Sequence, residues 1–205
     1  MSFSARACRR TISSRTDPNT AAVLPLTLTL PPWAQIRDDR LGHIERTATL
    51  ASRWAGLMGA PSIELNRWLK AVSLHDALKD APSDLLSELT PDCWDVPALR
   101  HGPAAAALAA EYGESDQGVL NAVRYHSVGY AQWDSAGRIL YLADFLEPGR
   151  EFHRPVHDVL AERVPHDLHG VLHAVAAERL QEILEHGLPL LPETTQFWNA
   201  LVGRS

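Results

Sequence analysis

Apolar residues recur at alternating spacings of three and four positions through most of this chain, which is the pattern of helices with one buried face. The clearest case is the segment RLGHIERTATLASRWAGLMG, residues 40–59, whose apolar face carries Leu41, Ile44, Ala48, Ala51, Ala55 and Met58. No segment alternates between apolar and polar residues as a half-buried strand does. The periodicity therefore predicts an all-α fold, a single helical bundle.

Interruptions of the periodicity predict where the helices end. Gly59 and Pro61 end the first helix, and Ser62 is a candidate N-cap for the second. A later helix is expected to open at Pro103 and close at Gly113, because proline favours the first turn and glycine the end. Further helices are expected over SDQGVLNAVRYH, with Ser115 as candidate cap, over DSAGRILYLADFLEPG, and from about His166 to His186.

The first 32 residues differ in composition from the rest. The opening MSFSARACRRTISSRTDPNT contains four arginines, many Ser and Thr, and a single acid, Asp17. This composition is typical of a disordered tail, and an organellar transit peptide is the alternative. We predict a flexible N-terminal tail over residues 1–32 and one domain over residues 33–205.

Overall composition excludes several classes of protein. A hydrophobic content of 45% in 205 residues permits a substantial core, and a net charge of −6 argues against a nucleic-acid-coating protein. Cys8 and Cys93 lie far apart, so neither a disulfide scaffold nor a thiolate zinc site is expected. The sequence has no run of about 18 apolar residues, hence no expected membrane span. These features predict a cytoplasmic protein.

The segment VSLHDALKD, residues 72–80, places a histidine and an aspartate side by side at the end of an apolar helical stripe. On a helix His75 and Asp76 are about 100° apart, so both reach only a point close against the helix. An unpaired carboxylate buried there would cost several kcal/mol, and a divalent cation between the two side chains would remove that cost. The pair therefore predicts a metal site.

Further residues with metal-binding side chains follow the same pattern, each near a helix end or on an apolar helix: His43, His101, His126 and Asp144. Imidazole and carboxylate ligands together suit iron, manganese, cobalt or zinc rather than calcium. Six ligands are enough for two metals, and two metals about 3.5–4 Å apart can clamp a phosphoryl group for in-line displacement. A lone histidine would be weak evidence, so the prediction depends on the ordered set.

Basic residues that could bind phosphate lie within one helical turn or a short loop of these ligands: Arg40, Lys79 and Arg150, with Arg124 as a weaker candidate. Lys79 is four residues beyond His75 and should point the same way if the helix continues. Glu147, one turn after Asp144, is a candidate hydrogen-bond acceptor for a ligating imidazole. Asp76 and Lys79 are the predicted catalytic residues.

The sequence resembles the HD-domain metal-dependent phosphohydrolases, and among them the YqeK family of symmetrical bis(5'-nucleosyl)-tetraphosphatases. The resemblance runs from about Trp33 to Leu201 and is carried by RLGHIER, SLHDALKD, RHGPAAAALAAEYG, LNAVRYHSVG, ILYLADFLEPGRE and GLPLLPETTQFWN. It implies a helical fold, a centre with two iron ions, and hydrolysis of diadenosine tetraphosphate to two ADP. By matching position, it implies His43, His75, Asp76 and Asp144 as central ligands and His101 and His126 as those completing the second metal.

Two other functions fit the same ligands. One is a nucleoside monophosphate or deoxynucleotide phosphohydrolase with the same centre, and the other is a module that senses a nucleotide without hydrolysing it. The expected partner in each case is a small nucleotide or dinucleoside polyphosphate, not a nucleic acid or a membrane. The metal could be manganese, cobalt or zinc instead of iron, and the oligomeric state is left open.

Overall fold

The computed structural model describes residues 28–150 and 154–203, and these residues contain helices and loops without a β-strand. The helices are α1 Asp38–Met58, α2 Ser62–His75, α3 Ser83–Leu89, α4 His101–Glu111, α5 Gln117–Tyr125, α6 Ser135–Leu146, α7 Arg154–Arg163, α8 Leu168–Glu185 and α9 Pro192–Val202. A 3-10 turn, Pro97–Leu99, precedes α4. The predicted all-α bundle is confirmed.

The predicted N-terminal tail lies mostly outside the described residues, which begin at residue 28. Within the part that is described, Leu28 and Leu30 are half-buried and pack against the core together with Trp33. The packed part of the chain therefore begins before the boundary at Trp33 that composition predicts.

Most helix ends lie close to where the sequence predicts them, but α4 begins at His101, two residues before Pro103, and the caps of α2 and α5 differ. Gly59 ends α1, as predicted, in the left-handed conformation with φ 64°. Its backbone N–H donates to a carbonyl of the last helical turn. Ser62 is the first residue inside α2 and caps nothing, because Pro61 takes the N-cap position. Asp116, not Ser115, caps α5 by accepting from the backbone N–H groups of its first turn. The prediction of Ser115 is wrong because an aspartate is as good a cap as a serine, and capping preference alone does not separate the two neighbours.

The core is built around α2 and α6, which pack against each other and against α1 and α5. The C-terminal helices cover this unit: Trp54 of α1 is fully buried and its Nε1 donates to the Ala161 carbonyl of α7 at 2.9 Å. On α9, Phe197 packs edge-on against Trp133 and Tyr141. No helix among the described residues is both long and apolar enough to cross a membrane.

The packing brings several helix ends to one place. α2 ends at His75, α4 begins at His101, and His126 is the residue after α5. Asp144 lies in the last turn of α6, and His43 lies in the second turn of α1. Since backbone hydrogen bonding is incomplete at helix ends, these residues lie where side chains and ligands complete the local structure.

Candidate metal centre

The structure brings the six predicted ligands together in the interior, where each is at most 5% exposed. They form two groups, His43–His75–Asp76 and Asp76–His101–His126, and the potential ligand atoms within each group lie within 4.8 Å of one another. Asp76 belongs to both groups. Asp144 adjoins the first group, with Oδ1 3.1 Å from Nε2 of His43.

The orientation of three of the histidines is fixed by the same backbone contact. In each, Nδ1 lies 2.8–3.0 Å from the carbonyl oxygen three residues earlier: His75 to Val72, His101 to Ala98 and His126 to Val123. A carbonyl oxygen only accepts, so the proton resides on Nδ1 and the lone pair of Nε2 points into the centre. This is the tautomer in which an imidazole binds a metal through Nε2.

The fourth histidine, His43, is oriented by a carboxylate. Its Nδ1 lies 3.0 Å from Oε1 of Glu147, which also accepts from Nε of Arg46 at 2.6 Å through Oε2 and from the backbone N–H of Gly149. Burial raises the pKa of Glu147, but the hydrogen bonds from His43 and Arg46 outweigh it and bring that pKa to about 2. Glu147 is therefore an ionised acceptor that holds His43 in place. This is the role that its spacing of one helical turn from Asp144 predicts.

Nε2 of His75 is buried and, among the described residues, finds no hydrogen-bond partner; Oδ2 of Asp76 is 3.7 Å away. The Nε2 atoms of His101 and His126 are 3.1 Å apart. Buried lone pairs without a donor are costly, and a divalent cation near each group would satisfy them. The residues present therefore fit a metal centre of nitrogen and oxygen ligands.

Burial sets the charge state of two of these histidines. It lowers the pKa of His75 to about 4 and lowers that of His126 as well, so that both are neutral at pH 7. Burial also lowers the pKa of His43, but hydrogen bonds with Asp144 and Glu147 and the charge of Asp76 raise it more, to a net increase. His43 thus lies in a strongly negative part of the centre, where a cation is stabilised.

Asp76 lies just beyond α2, at the C-cap with φ −108° and ψ 13°, and not inside the helix as the sequence predicts. Its Oδ1 is 3.1 Å from Nε2 of His101, and its Oδ2 accepts from Nη1 of Arg40 at 2.9 Å. Burial raises the pKa of Asp76, but the neighbouring imidazole groups of His75, His101 and His126 outweigh it and bring that pKa well below the usual range. The turn at the helix end is what lets Asp76 face both groups.

A cavity of about 350 Å³ opens beside the centre. The described residues that line it are Arg40, Asp76, Lys79, His126, Ser127, Asp144, Phe145, Arg150, Arg179, Glu182 and Ile183. Arg40, Lys79 and Arg150 were predicted to lie here from their spacing. Arg124, the weaker candidate, is exposed and lies over the ring of Tyr125 instead, outside the set that lines the cavity.

Lys79 reaches the cavity by a different path from the predicted one. The chain turns after His75 instead of continuing the helix, and the Lys79 N–H bonds to the Asp76 carbonyl at 2.9 Å. Its Nζ lies 3.3 Å from Nε2 of His101, and burial lowers its pKa. The ammonium therefore lies directly beside the second group of ligands.

Asp144 is held by two guanidinium groups. Nη2 of Arg150 donates to Oδ1 at 2.6 Å, and Nη2 of Arg179 donates to Oδ2 at 3.1 Å. Burial raises the pKa of Asp144, but the charge of Arg150, the hydrogen bond from His43 and the charge of Arg179 bring it well below the usual range. Arg179 carries no signal of this role in the sequence, since an arginine in the amphipathic segment AAERLQE has no feature that separates it from a solvated surface charge.

The described residues form an all-α bundle in which buried histidines and aspartates lie at converging helix ends beside a cavity lined by basic residues, an arrangement that could bind a divalent metal and an anionic ligand. The family model described as HD domain matches residues 40–149, more than half of the chain. The chain belongs to the HD-domain family, and the predicted family and hydrolase class are confirmed.

Individual relatives agree with this assignment. A Bacillus subtilis protein named symmetrical bis(5'-nucleosyl)-tetraphosphatase is 31% identical over 185 residues, which are 83% of this chain and 94% of that protein. A Halalkalibacterium halodurans protein of the same name is 30% identical over 105 residues, 51% of this chain and 55% of that protein. A solved structure from Clostridium acetobutylicum, described as a predicted HD superfamily hydrolase involved in NAD metabolism, has a TM-score of 0.74 and 27% identity over 83% of this chain and 92% of that one.

Proposed function

We propose that this protein hydrolyses dinucleoside tetraphosphates symmetrically, diadenosine tetraphosphate to two ADP, with divalent metal held at the buried centre. The observation that carries the proposal is the cavity wall, where Arg40, Lys79 and Arg150 adjoin the histidine and aspartate ligands. A polyphosphate chain is strongly anionic, so a cavity with several cations and a potential metal site suits it. Symmetry of cleavage rests on the name of the Bacillus subtilis relative.

His43, His75 and Asp76, with Asp144 beside them, would hold one metal, and Asp76, His101 and His126 would hold a second. We propose iron for both positions; manganese, cobalt and zinc accept the same ligand types. Bound divalent ions supply Lewis acidity towards phosphoryl oxygens and make water a nucleophile at neutral pH. Asp76 is the proposed shared ligand, because it belongs to both groups.

The basic residues bind and orient the phosphate chain. Arg40 and Arg150 pair with Asp76 and Asp144, so both guanidinium groups lie within reach of a phosphate beside the ligands. Lys79, next to His101, places a positive charge where charge on the phosphoryl oxygens would develop. Burial removes most water around these charges, which strengthens their attraction for phosphate.

The cavity is large enough for part of the substrate. Its volume of about 350 Å³ lies near the lower end of the range for small-molecule sites, enough for phosphates and too little for a whole dinucleotide. The phosphate chain would therefore occupy the cavity while the nucleosides extend beyond it, past the partly exposed Glu182 and Ile183. This placement fits one centre acting on a long, two-ended substrate.

The experiment is a product analysis. Protein purified without chelator and supplied with ferrous iron under reducing conditions would be incubated with diadenosine tetraphosphate, and nucleotides resolved by anion-exchange chromatography. ADP as the sole early product supports the proposal, whereas AMP plus ATP would overturn the symmetry. Dephosphorylation of AMP or dAMP without tetraphosphate cleavage would indicate a monophosphate phosphohydrolase, and binding without turnover under several metals would indicate a sensing module.

A further inference from the structure

We propose that Arg179 is a positioning residue of the metal centre: it holds Asp144 and the backbone beside His126 at a fixed separation. Arg179 lies on α8, outside residues 40–149 that the HD-domain family model matches. The proposal rests on the metal centre of the proposed function and is independent of which nucleotide is cleaved.

The guanidinium group of Arg179 bridges two parts of the centre. Nη2 donates to Oδ2 of Asp144 at 3.1 Å, and Nη1 donates to the backbone carbonyl of Ser127 at 3.3 Å. Ser127 follows His126 directly, and its Oγ lies 3.0 Å from Nε2 of that histidine. One side chain therefore connects the aspartate beside the first ligand group with the segment that carries a ligand of the second.

Two aromatic rings pack against this guanidinium group. Its Cζ lies 4.5 Å from the ring centroid of Tyr141 and 4.9 Å from that of Phe145, both on α6. Cation–π contacts of this kind favour a single orientation of the planar group. The Arg179 side chain is 17% exposed, so packing limits its freedom further. Arg179 is thus fixed in place independently of a bound ligand.

Arg150 and Arg179, which both donate to Asp144, constrain this carboxylate in different ways. Arg150 lies in the loop after α6 and also bonds to the Asp144 backbone carbonyl at 2.7 Å, so it belongs to the same segment as the aspartate. Arg179 comes from another helix and holds Oδ2, which leaves Oδ1 facing Nε2 of His43. Arg179 therefore sets the position of the carboxylate relative to the rest of the bundle.

The bridge needs an arginine. Its N–H donors diverge in a plane and can satisfy two acceptors at once, whereas a lysine ammonium is a point charge at the end of a flexible chain. Arg179→Lys keeps the charge and most of the volume but cannot hold Asp144 and the Ser127 carbonyl in the same geometry. Partners that orient metal ligands typically contribute about 10–100-fold to metal affinity.

The test is a titration of chelator-treated, full-length protein with Mn²⁺ by calorimetry, without substrate. We expect Arg179→Lys to weaken the affinity for manganese about 10–100-fold. Arg163→Lys is the matched control, since that arginine is half-exposed and pairs with Asp167 away from the cavity, and its affinity should equal that of the wild type. The melting temperature of the metal-free variants shows whether the fold is retained.

A second variant separates positioning from general structure. Arg179→Ala leaves a slot between Tyr141, Phe145 and Asp144 that guanidinium ion can enter, so millimolar guanidinium should restore manganese affinity in this variant and not in Arg179→Lys. Loss of affinity that guanidinium does not restore would overturn the proposal in favour of a general structural role.

Unchanged manganese affinity with a raised KM for the nucleotide would also overturn the proposal, because Arg179 would then contact substrate directly. If the wild-type protein fails to cleave diadenosine tetraphosphate, the proposed function fails. The manganese titration would in that case still decide the role of Arg179.

Discussion

Nε2 of His101 lies 3.1 Å from Nε2 of His126 in the buried centre, and the Nδ1 of each ring faces a backbone carbonyl. Both Nε2 atoms therefore present lone pairs to each other, an arrangement that is unfavourable without a cation nearby. The Lys79 ammonium lies 3.3 Å from Nε2 of His101, and the hydroxyl of Ser127 lies 3.0 Å from Nε2 of His126. A divalent cation bound beside the two Nε2 atoms would replace these weak contacts with direct coordination.

Metal should consequently stabilise the fold. Manganese at about 100 times its dissociation constant adds about 2.7 kcal/mol to the free energy of unfolding, a rise of about 5–10 °C in Tm for a domain of this size. The rise, measured by thermal unfolding with and without Mn²⁺, should be smaller in His126→Gln. It should be unchanged in His166→Gln, an exposed histidine. An identical Tm with and without metal in the wild type would argue against a metal centre.

Substitution of Asp76 should abolish turnover and leave the fold helical. This carboxylate belongs to both ligand groups, so its loss removes a ligand from each. We expect Asp76→Ala to lower kcat/KM for diadenosine tetraphosphate by about 10³-fold or more. Asp158→Asn, which alters an exposed ion pair with Arg154, serves as the control. Retained activity of metal-free Asp76→Ala would contradict the metal-dependent mechanism, and circular dichroism would verify the helix content.

Glu147→Gln should weaken metal binding without removing a ligand. The glutamine keeps an oxygen that can accept from Nδ1 of His43 but loses the charge that makes this imidazole a stronger ligand. A decrease of about tenfold in manganese affinity is expected, measured by calorimetry against Glu162→Gln, whose carboxylate pairs with Arg53 at the surface. Equal manganese affinities in the two variants would mean that Glu147 stabilises the loop after α6 through its ion pair with Arg46 and does not affect metal binding by His43.

Apolar periodicity predicted the helices of this fold because burial of one face is what stabilises them. The helix expected from about His166 to His186 appears as α8, Leu168–Glu185. The pair His75 and Asp76 lies beside the other predicted ligands His43, His101 and His126. The local path after His75 was not predictable: a C-cap turn and another helical turn have similar propensities there. Tertiary packing decides between them, and it places Asp76 at the junction of the two groups.

Contacts between residues far apart in sequence explain why the placement of two arginines was not predictable. Arg179 is 35 residues from Asp144 in sequence, and only the crossing of α6 and α8 brings them together. Arg124 shows the converse, since its spacing resembles that of the other candidates but its helix face points away from the cavity. For a basic residue the sequence shows a charge and a position along a helix, and the rotation of that helix decides whether the side chain faces the cavity.

An ion-pair cluster around Arg67 connects α5 and α6, the helices that position His126 and Asp144, to α2. Nε of Arg67 donates to Asp116 at 2.6 Å, Nη2 to Asp134 at 2.5 Å, and Nη1 to Glu64 at 2.9 Å. Asp116 and Asp134 are the N-caps of α5 and α6, so one guanidinium group connects the start of both helices to α2. Glu64 also accepts from the hydroxyl of Ser135 in the first turn of α6.

This cluster should make stability depend on pH in acid. The hydrogen bond from Ser135 and that from Arg67 lower the pKa of Glu64, and the hydrogen bond from Arg67 lowers that of Asp116. A carboxyl whose pKa is lower in the folded state stabilises the fold above its unfolded pKa, about 4. That contribution is lost as pH falls through the lower folded value.

Arg67→Met should therefore cost about 1–2 kcal/mol of unfolding free energy at pH 7, an estimate reduced for the partial exposure of the carboxylates. The deficit should shrink as pH falls from about 5 to 3, because protonated carboxyls no longer need the guanidinium group. Urea unfolding of metal-free protein, followed by circular dichroism, would measure both effects. Arg53→Met, which breaks an exposed pair with Glu162, should cost little at any pH. A deficit for Arg67→Met that stays constant from pH 7 to pH 3 would show that the side chain acts through packing and not through its charge.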